Sequence, residues 1–190
     1  MGTEEPGLFM RGKRVGLRAL ERHDVNDRYQ RWINTYEVTK YLESGLFPST
    51  LHSLQAYYER VTGSDTCVIF AIEDLDSHEH IGNVKLEPIH WVNRTAVFGI
   101  LIGEHTLYGQ GIGYEASKLC IEYAFHRLDL RKISLGVLAN HDRAIRLYER
   151  LGFVIEGRRR QEHLFEGTFV DSLMMSVLQA EFNAAASVTP

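Results

Sequence analysis

Hydrophobic and polar positions in this chain follow two periods, and the switches between them predict its elements. Val15, Leu17 and Ala19 alternate with Arg14, Gly16 and Arg18, which predicts a strand within 12–20. Asp24 stands as the N-cap of a helix through Trp32, and residues 38–42 continue it after a break. Residues 45–49 read as a loop. Ser49 or Thr50 then caps a helix carrying Leu51, Leu54, Tyr57, Tyr58 and Val61. Residues 66–72, 81–89 and 95–103 predict three strands with short polar links, an antiparallel meander. From Ile112 the apolar positions fall at 112, 116, 119, 120, 123, 124 and 128, one helical face. Ile133, Leu135 and Val137 alternate in a strand, and residues 142–151 form a helix closed by Gly152. Residues 153–155 open another strand, and 169–178 form the last. The interleaving with a meander rules out a purely parallel sheet, so the class is α+β, or mixed α/β.

Chemistry concentrates where the strand ending near Gly103 runs into Gly109, Gly111 and Gly113 and then into a helix. Glycine admits positive φ and close approach of a ligand to the backbone. A helix start adds unpaired N–H groups and the positive end of the dipole, so strand, glycine turn and helix together suit an anion, most often a phosphate. The spacing is G-x-G-x-G, without the Gly-Lys-Ser/Thr of a Walker loop and without the G-x-G-x-x-G of a dinucleotide fingerprint. A second dense stretch runs from Asn140 through Ala144, Leu147, Tyr148 and Gly152 to Phe153.

Together the two stretches resemble the GNAT family of acetyl-CoA-dependent N-acetyltransferases. Tyr108-Gly109-Gln110-Gly111-Ile112-Gly113 is similar to its R/Q-x-x-G-x-G/A signature, with Tyr108 where Arg or Gln is usual. Tyr108 through Ala116, and the opening with Leu17-Arg18-Ala19-Leu20, Asp24 and Trp32-Ile33-Asn34, resemble the RimJ/RimL-like branch. Asn140 to Phe153 fills every keyed position of N-x-x-A/S-x-x-L/F-Y-x-x-x-G-F. The resemblance implies a central, mostly antiparallel mixed sheet flanked by helices, with a splay between two central strands. It implies that backbone N–H groups from Gln110 to Tyr114, with Tyr108, Gly109, Gly111, Ile112 and Gly113, cradle the CoA pyrophosphate. Ile100, Leu101 and Ile102 would pair with the pantetheine arm, helped by Asn140, Ala144 and Leu147. Asn140 contacts that arm or holds its helix start. Tyr148 is the candidate acid for the departing thiolate, a phenol near ~10 against a thiol near ~8.5, or it packs its helix onto the sheet.

Relatives often carry a carboxylate in an R-x-A-E-F pattern; this chain reads Arg94-Thr95-Ala96-Val97-Phe98. Val97 takes no proton, which leaves Glu87, His90, Glu104 and His105 nearby in sequence, or water. His105 is the single candidate base, its imidazole poised near ~6.5. The implied reaction moves acetyl to a primary amine in a ternary complex. The acceptor is a small molecule or peptide: a protein N-terminus, an amino sugar or a polyamine. A CoA-binding module without turnover is the alternative. Phe47, Tyr57 and Tyr58 are acceptor-side candidates or plain core and surface aromatics.

Composition changes this picture little. The 190 residues read as a flexible leader over 1–11, one domain over 12–179 and a tail over 180–190. A net charge of -4 argues against a general nucleic-acid binder. Residues 1–11 lack the apolar run of a secretion signal, and no stretch suits a membrane span. Two cysteines, Cys67 and Cys120, sit in apolar patterns as buried thiols of a cytoplasmic protein. His78 and His80 lack further ligand spacing, so no metal is expected. Arg158-Arg159-Arg160 steers an anionic acceptor or the CoA 3′-phosphate, or is an exposed strand face. A homodimer is a family-level expectation.

Overall fold

The computed structural model describes residues 7–186. In chain order the elements are β1 (Met10–Arg11), β2 (Val15–Ala19), α1 (Asp27–Asn34), α2 (Tyr36–Thr39), α3 (Leu51–Thr62), β3 (Val68–Asp74), β4 (His80–His90) and β5 (Thr95–Ile102). There follow α4 (Ile112–His126), β6 (Lys132–Leu138), α5 (Asp142–Arg150), β7 (Val154–Phe165), β8 (Thr168–Leu178) and α6 (Gln179–Ala186). Hydrogen bonding orders the strands β1-β2-β3-β4-β5-β6-β8-β7 in one mixed sheet. The chain divides into two compact units that alternate along the sequence. The first takes the chain up to Glu87 and again Gly99–Cys120; the second takes Pro88–Phe98 and the chain from Ile121 on.

In the first unit β1, β2, β3 and β4 pair antiparallel, with Leu17 opposite Ile72 and Ala71 opposite Asn83. Val15, Leu17, Ala71 and Ile72 are wholly buried, so these strands are covered on both faces. Val25, Tyr29, Trp32, Ile33, Val38 and Leu54 form the core of α1, α2 and α3. Asp24 does not cap α1. The cap is Asn26, whose side chain accepts from Arg28 N and Tyr29 N, and Asp24 turns inward. Arg18 explains this. Its guanidinium is buried inside β2, donates to both Asp24 oxygens at 2.7 and 2.8 Å, and reaches Glu73 at 3.0 Å. A buried cation needs paired anions more than a helix end needs a cap, because the latter can use another side chain.

In the second unit β5 pairs parallel to β6 over Thr95–Val97 and Lys132–Ser134, where the ladder ends although both strands run on. The remaining pairs, β6 with β8 and β8 with β7, are antiparallel. β7 is far longer than the start at 153–155 suggests. Its residues are exposed and polar along most of their length, so it carries no hydrophobic period, and only the hairpin with β8 holds it. Residues from Gln179 form α6, and Phe182 packs on Phe125 at 5.5 Å. At the other end, Phe9 N donates to Leu17 O and Met10–Arg11 pair with β2, both within the stretch expected as a leader; residues 1–6 lie outside the described residues.

Candidate active site

Within the first unit, β5 delivers the chain to Gly103. A side chain there would meet the Trp32 ring at 2.0 Å, so only glycine lets the strand pass under it. Glu104 follows and accepts from Trp32 Nε1 at 3.0 Å and Arg28 Nε at 2.8 Å. The chain turns through His105–Leu107, and the Tyr108 hydroxyl donates back to Ile102 O at 3.0 Å. Gly109 and Gly111 have φ of 82° and 84°, with open space where a Cβ would stand. Both need positive φ, and both leave the turn bare for an incoming group. α4 then begins at Ile112, and the first N–H groups of a helix have no intrahelical acceptor.

The turn is braced by residues that sequence reading missed. Arg14 donates to Gln110 O at 3.1 Å and to Gln110 Oε1 at 3.2 Å. The Glu115 carboxylate accepts from the backbone N–H groups of Lys13 and Arg14. A glycine turn with a helix start and a guanidinium at its rim fits a pyrophosphate. Ile100, Leu101, Ile102, Tyr108, Gly109, Gln110, Gly111, Ile112, Gly113 and Tyr114 therefore lie along one continuous path.

A cavity of about 320 Å³ opens beside this path in the same unit. Tyr29, Ile33, Leu42, Leu54, Tyr57, Ile69, Ile100 and Leu101 supply its apolar and aromatic walls; Ser44, Ser49, Ser53, Asn83 and Lys85 supply polar atoms. Of the expected acceptor-side aromatics, Tyr57 lines the cavity. Phe47 is exposed, and Tyr58 packs against the core clusters of this unit. Lys85 donates to Glu87 at 2.7 Å, and its ammonium stands 5.7 Å from the Tyr57 ring centre. Asn83 is 5% exposed; its Oδ1 meets His80 Nε2 at 2.8 Å, and its Nδ2 is buried. The Tyr29 phenol comes near enough to that amide to interact with it as a hydrogen-bonding group, but the geometry at Nδ2 closes no bond. Burial pushes the Tyr57 phenol up to about 12 and keeps it neutral.

The four sequence candidates for a base separate. Arg60 and Lys85 both bond Glu87, and the Arg60 hydrogen bond chiefly holds its carboxyl below the ordinary range. Against the push of partial burial, Arg28 and Trp32 hold Glu104 low as well. Both carboxylates are poor proton acceptors. His90 Nδ1 already accepts from Asn93 N at 3.1 Å, and His105 is exposed at the start of the turn.

Within the second unit, α5 carries the other motif. Asn140 is exposed ahead of it, and Ala144 and Leu147 are half-buried. Tyr148 is 9% exposed, with its ring edge-on to Phe98 at 6.3 Å and tilted on Phe153 at 5.7 Å. Burial pushes its phenol up to about 12, above the ordinary value expected from sequence. Gly152, at φ 87°, ends the helix, and Phe153 N returns to Tyr148 O at 3.0 Å. Neither thiol is a nucleophile in waiting: Cys120 is fully buried, and burial raises both Cys120 and Cys67.

The domain family described as the acetyltransferase (GNAT) domain matches residues 14–154. This chain belongs to the GNAT family. The acetyltransferase is 32% identical over 170 residues to the spermidine N(1)-acetyltransferase of Vibrio cholerae, covering 87% of this chain and 94% of that one. It is 30% identical over 171 residues to the Escherichia coli K12 enzyme of the same name, covering 90% and 89%. The crystal structure of the Vibrio cholerae enzyme in complex with CoA and spermine superposes with a TM-score of 0.81 at 29% identity, over 90% of this chain and 98% of that one. The acetyltransferase thus uses acetyl-CoA to acetylate an amine.

Proposed function

We propose that this acetyltransferase moves acetyl directly from acetyl-CoA to a primary amine bound in the cavity beside β5. The observation that carries the proposal is the cavity itself, walled by Gly99, Ile100 and Leu101 of the strand that leads into the glycine turn. In this reading the N–H groups around Gly111 and the Arg14 guanidinium hold the pyrophosphate. The strand backbone of Ile100 to Ile102 orients the arm and offers an N–H to the acetyl oxygen as charge develops. The amine attacks the acetyl carbon, the tetrahedral intermediate collapses, and the sulfur leaves with a proton from Tyr148. Asn140, Ala144 and Leu147 support the cofactor arm. His105, exposed at the start of the turn, takes the amine's proton directly or through water.

The RimJ/RimL-like character rests on Tyr108 to Ala116 and on the opening of the chain. The relatives named for spermidine make polyamines a necessary member of any acceptor panel. The test is thiol release from acetyl-CoA against N-terminal peptides, small monoamines, amino sugars and polyamines, beside calorimetric titration with CoA. Thiol release that depends on one acceptor class supports the proposal. CoA binding without release on any acceptor would leave a binding module and overturn it.

A further inference from the structure

We infer that the cavity takes a monoamine whose body carries a carbonyl or hydroxyl oxygen, and that it turns away polycations; this rests on the transferase reading above. The inference stands on the balance of donors, acceptors and charge in the wall.

Among the described residues no carboxylate lines the cavity. Spermidine keeps two ammonium groups after its reacting nitrogen has lost its proton. Each must be desolvated on entry, and a buried ammonium without a paired carboxylate is strongly unfavourable. The carboxylate closest to the wall in the hydrogen-bond network, Glu87, is already held by Arg60 and Lys85. That cluster has two cations to one anion, and its member in the wall is Lys85. A second cation in the cavity is repelled rather than held.

The hydrogen-bond inventory points the same way. Asn83 Nδ2 is the buried side-chain nitrogen or oxygen that lacks a partner among the described residues. It is a donor, and the Lys85 ammonium offers donors alone. An ammonium from the ligand satisfies neither. A carbonyl or hydroxyl oxygen satisfies Nδ2 and gains from Lys85, so an oxygen near the amine is what this wall lacks. His80 fixes the arrangement: it bonds Asn83 Oδ1, which turns Nδ2 away from the ring. The rest of the wall, Ile33, Leu42, Leu54 and Ile69, suits an apolar side chain on the same molecule. Amino-acid amides and the first residue of a polypeptide share this chemistry.

The test measures kcat/KM by thiol release for leucinamide, the tripeptide Leu-Gly-Gly, 3-methylbutylamine and spermidine. Leucinamide or the tripeptide is expected to exceed spermidine by at least about tenfold, as a site with unpaired polar groups discriminates. The better of those two tells a free amine from a polypeptide end. Lys85→Glu should lower leucinamide turnover and raise spermidine turnover, narrowing the gap by about tenfold. Asn83→Leu should raise KM for leucinamide but not for 3-methylbutylamine, which has no oxygen; a merely structural loss would raise both. Spermidine turned over as well as leucinamide by the parent enzyme, or an unchanged ratio in Lys85→Glu, would overturn the inference. If no acceptor releases thiol, the transferase reading fails separately. The cavity is then judged by calorimetric titration of leucinamide and spermidine into the CoA-bound protein, where equal or tighter spermidine binding overturns it.

Discussion

Replacing Tyr148 with Phe separates packing from proton transfer. The ring touches Phe98 and Phe153, and Phe keeps both contacts. Among the described residues the hydroxyl closes no hydrogen bond, so stability should stay within about 0.5 kcal/mol of the parent. The chemical cost is larger. With the phenol up at about 12 and a free thiol near ~8.5, full transfer to a thiolate is uphill by ~3.5 units, or ~5 kcal/mol at ~1.36 kcal/mol per unit. The proton therefore moves only as the C–S bond breaks and charge builds on sulfur. A general acid so mismatched belongs at the low end of the usual ~10²–10⁴, so kcat should fall about 100-fold. Because the phenol stays protonated, parent kcat should show no alkaline fall from Tyr148 below about pH 11. The assay is steady-state thiol release at saturating acceptor, with CoA affinity by calorimetry and the melting temperature as controls. A kcat within about fivefold of the parent, with binding and melting intact, would refute the acid role. An alkaline limb near pH 9 that vanishes in Tyr148→Phe would refute the burial argument.

Gly111→Ala places a side chain on a residue at φ 84° in the turn, so CoA should bind about tenfold more weakly or worse while acceptor KM at saturating acetyl-CoA changes little; calorimetry and kinetics check this. Acid should destabilise the protein in two stages, read by urea unfolding from about pH 7.5 down to about pH 2. Burial depresses the His80 imidazole, so the unfolded chain takes up a proton that the folded chain refuses, and stability begins to fall below about pH 6.5. Asp24 resists the push of its own burial through Arg18 and is held low, so its contribution is complete above about pH 4 and is lost as pH falls through its folded value. His80→Gln should flatten the first stage and leave the second; equal slopes in both proteins would refute the assignment.

The glycine turn was legible in sequence because its requirement is local: positive φ at Gly109 and Gly111 depends on nothing beyond the turn. The helix ending at Gly152 was legible for the same reason. Asp24 was misread because a lone acid before an apolar period looks like a cap, and its real partner is the buried Arg18 on β2. The end of β7 was not legible because its exposed residues follow no hydrophobic period, although Arg158–Arg160 do form the exposed strand face that their charge suggested. The cavity was hardest to foresee, since its wall comes from α1, α3, β3, β4, β5 and the segment between α2 and α3, with no shared spacing. A trace of it was present: Asn83, Lys85 and Glu87 fall on one parity of β4, and polar side chains in a largely buried strand ask for partners. Val97 is the reverse case, a position where the family pattern expects a carboxylate and the structure shows an apolar side chain 39% exposed.

The bond between Glu115 and the backbone of Lys13 and Arg14 makes the start of the chain a sensor of the phosphate turn. Anything that stiffens the first turn of α4 also stiffens the carboxylate that those two amides share, so their hydrogen exchange should slow when CoA arrives. Gly12 sits at the other end of this lever: a Cβ there would lie 2.1 Å from Glu115 Oε1. Substitution at Gly12, far from the turn in sequence, is a way to detune cofactor affinity without altering a residue of the turn itself.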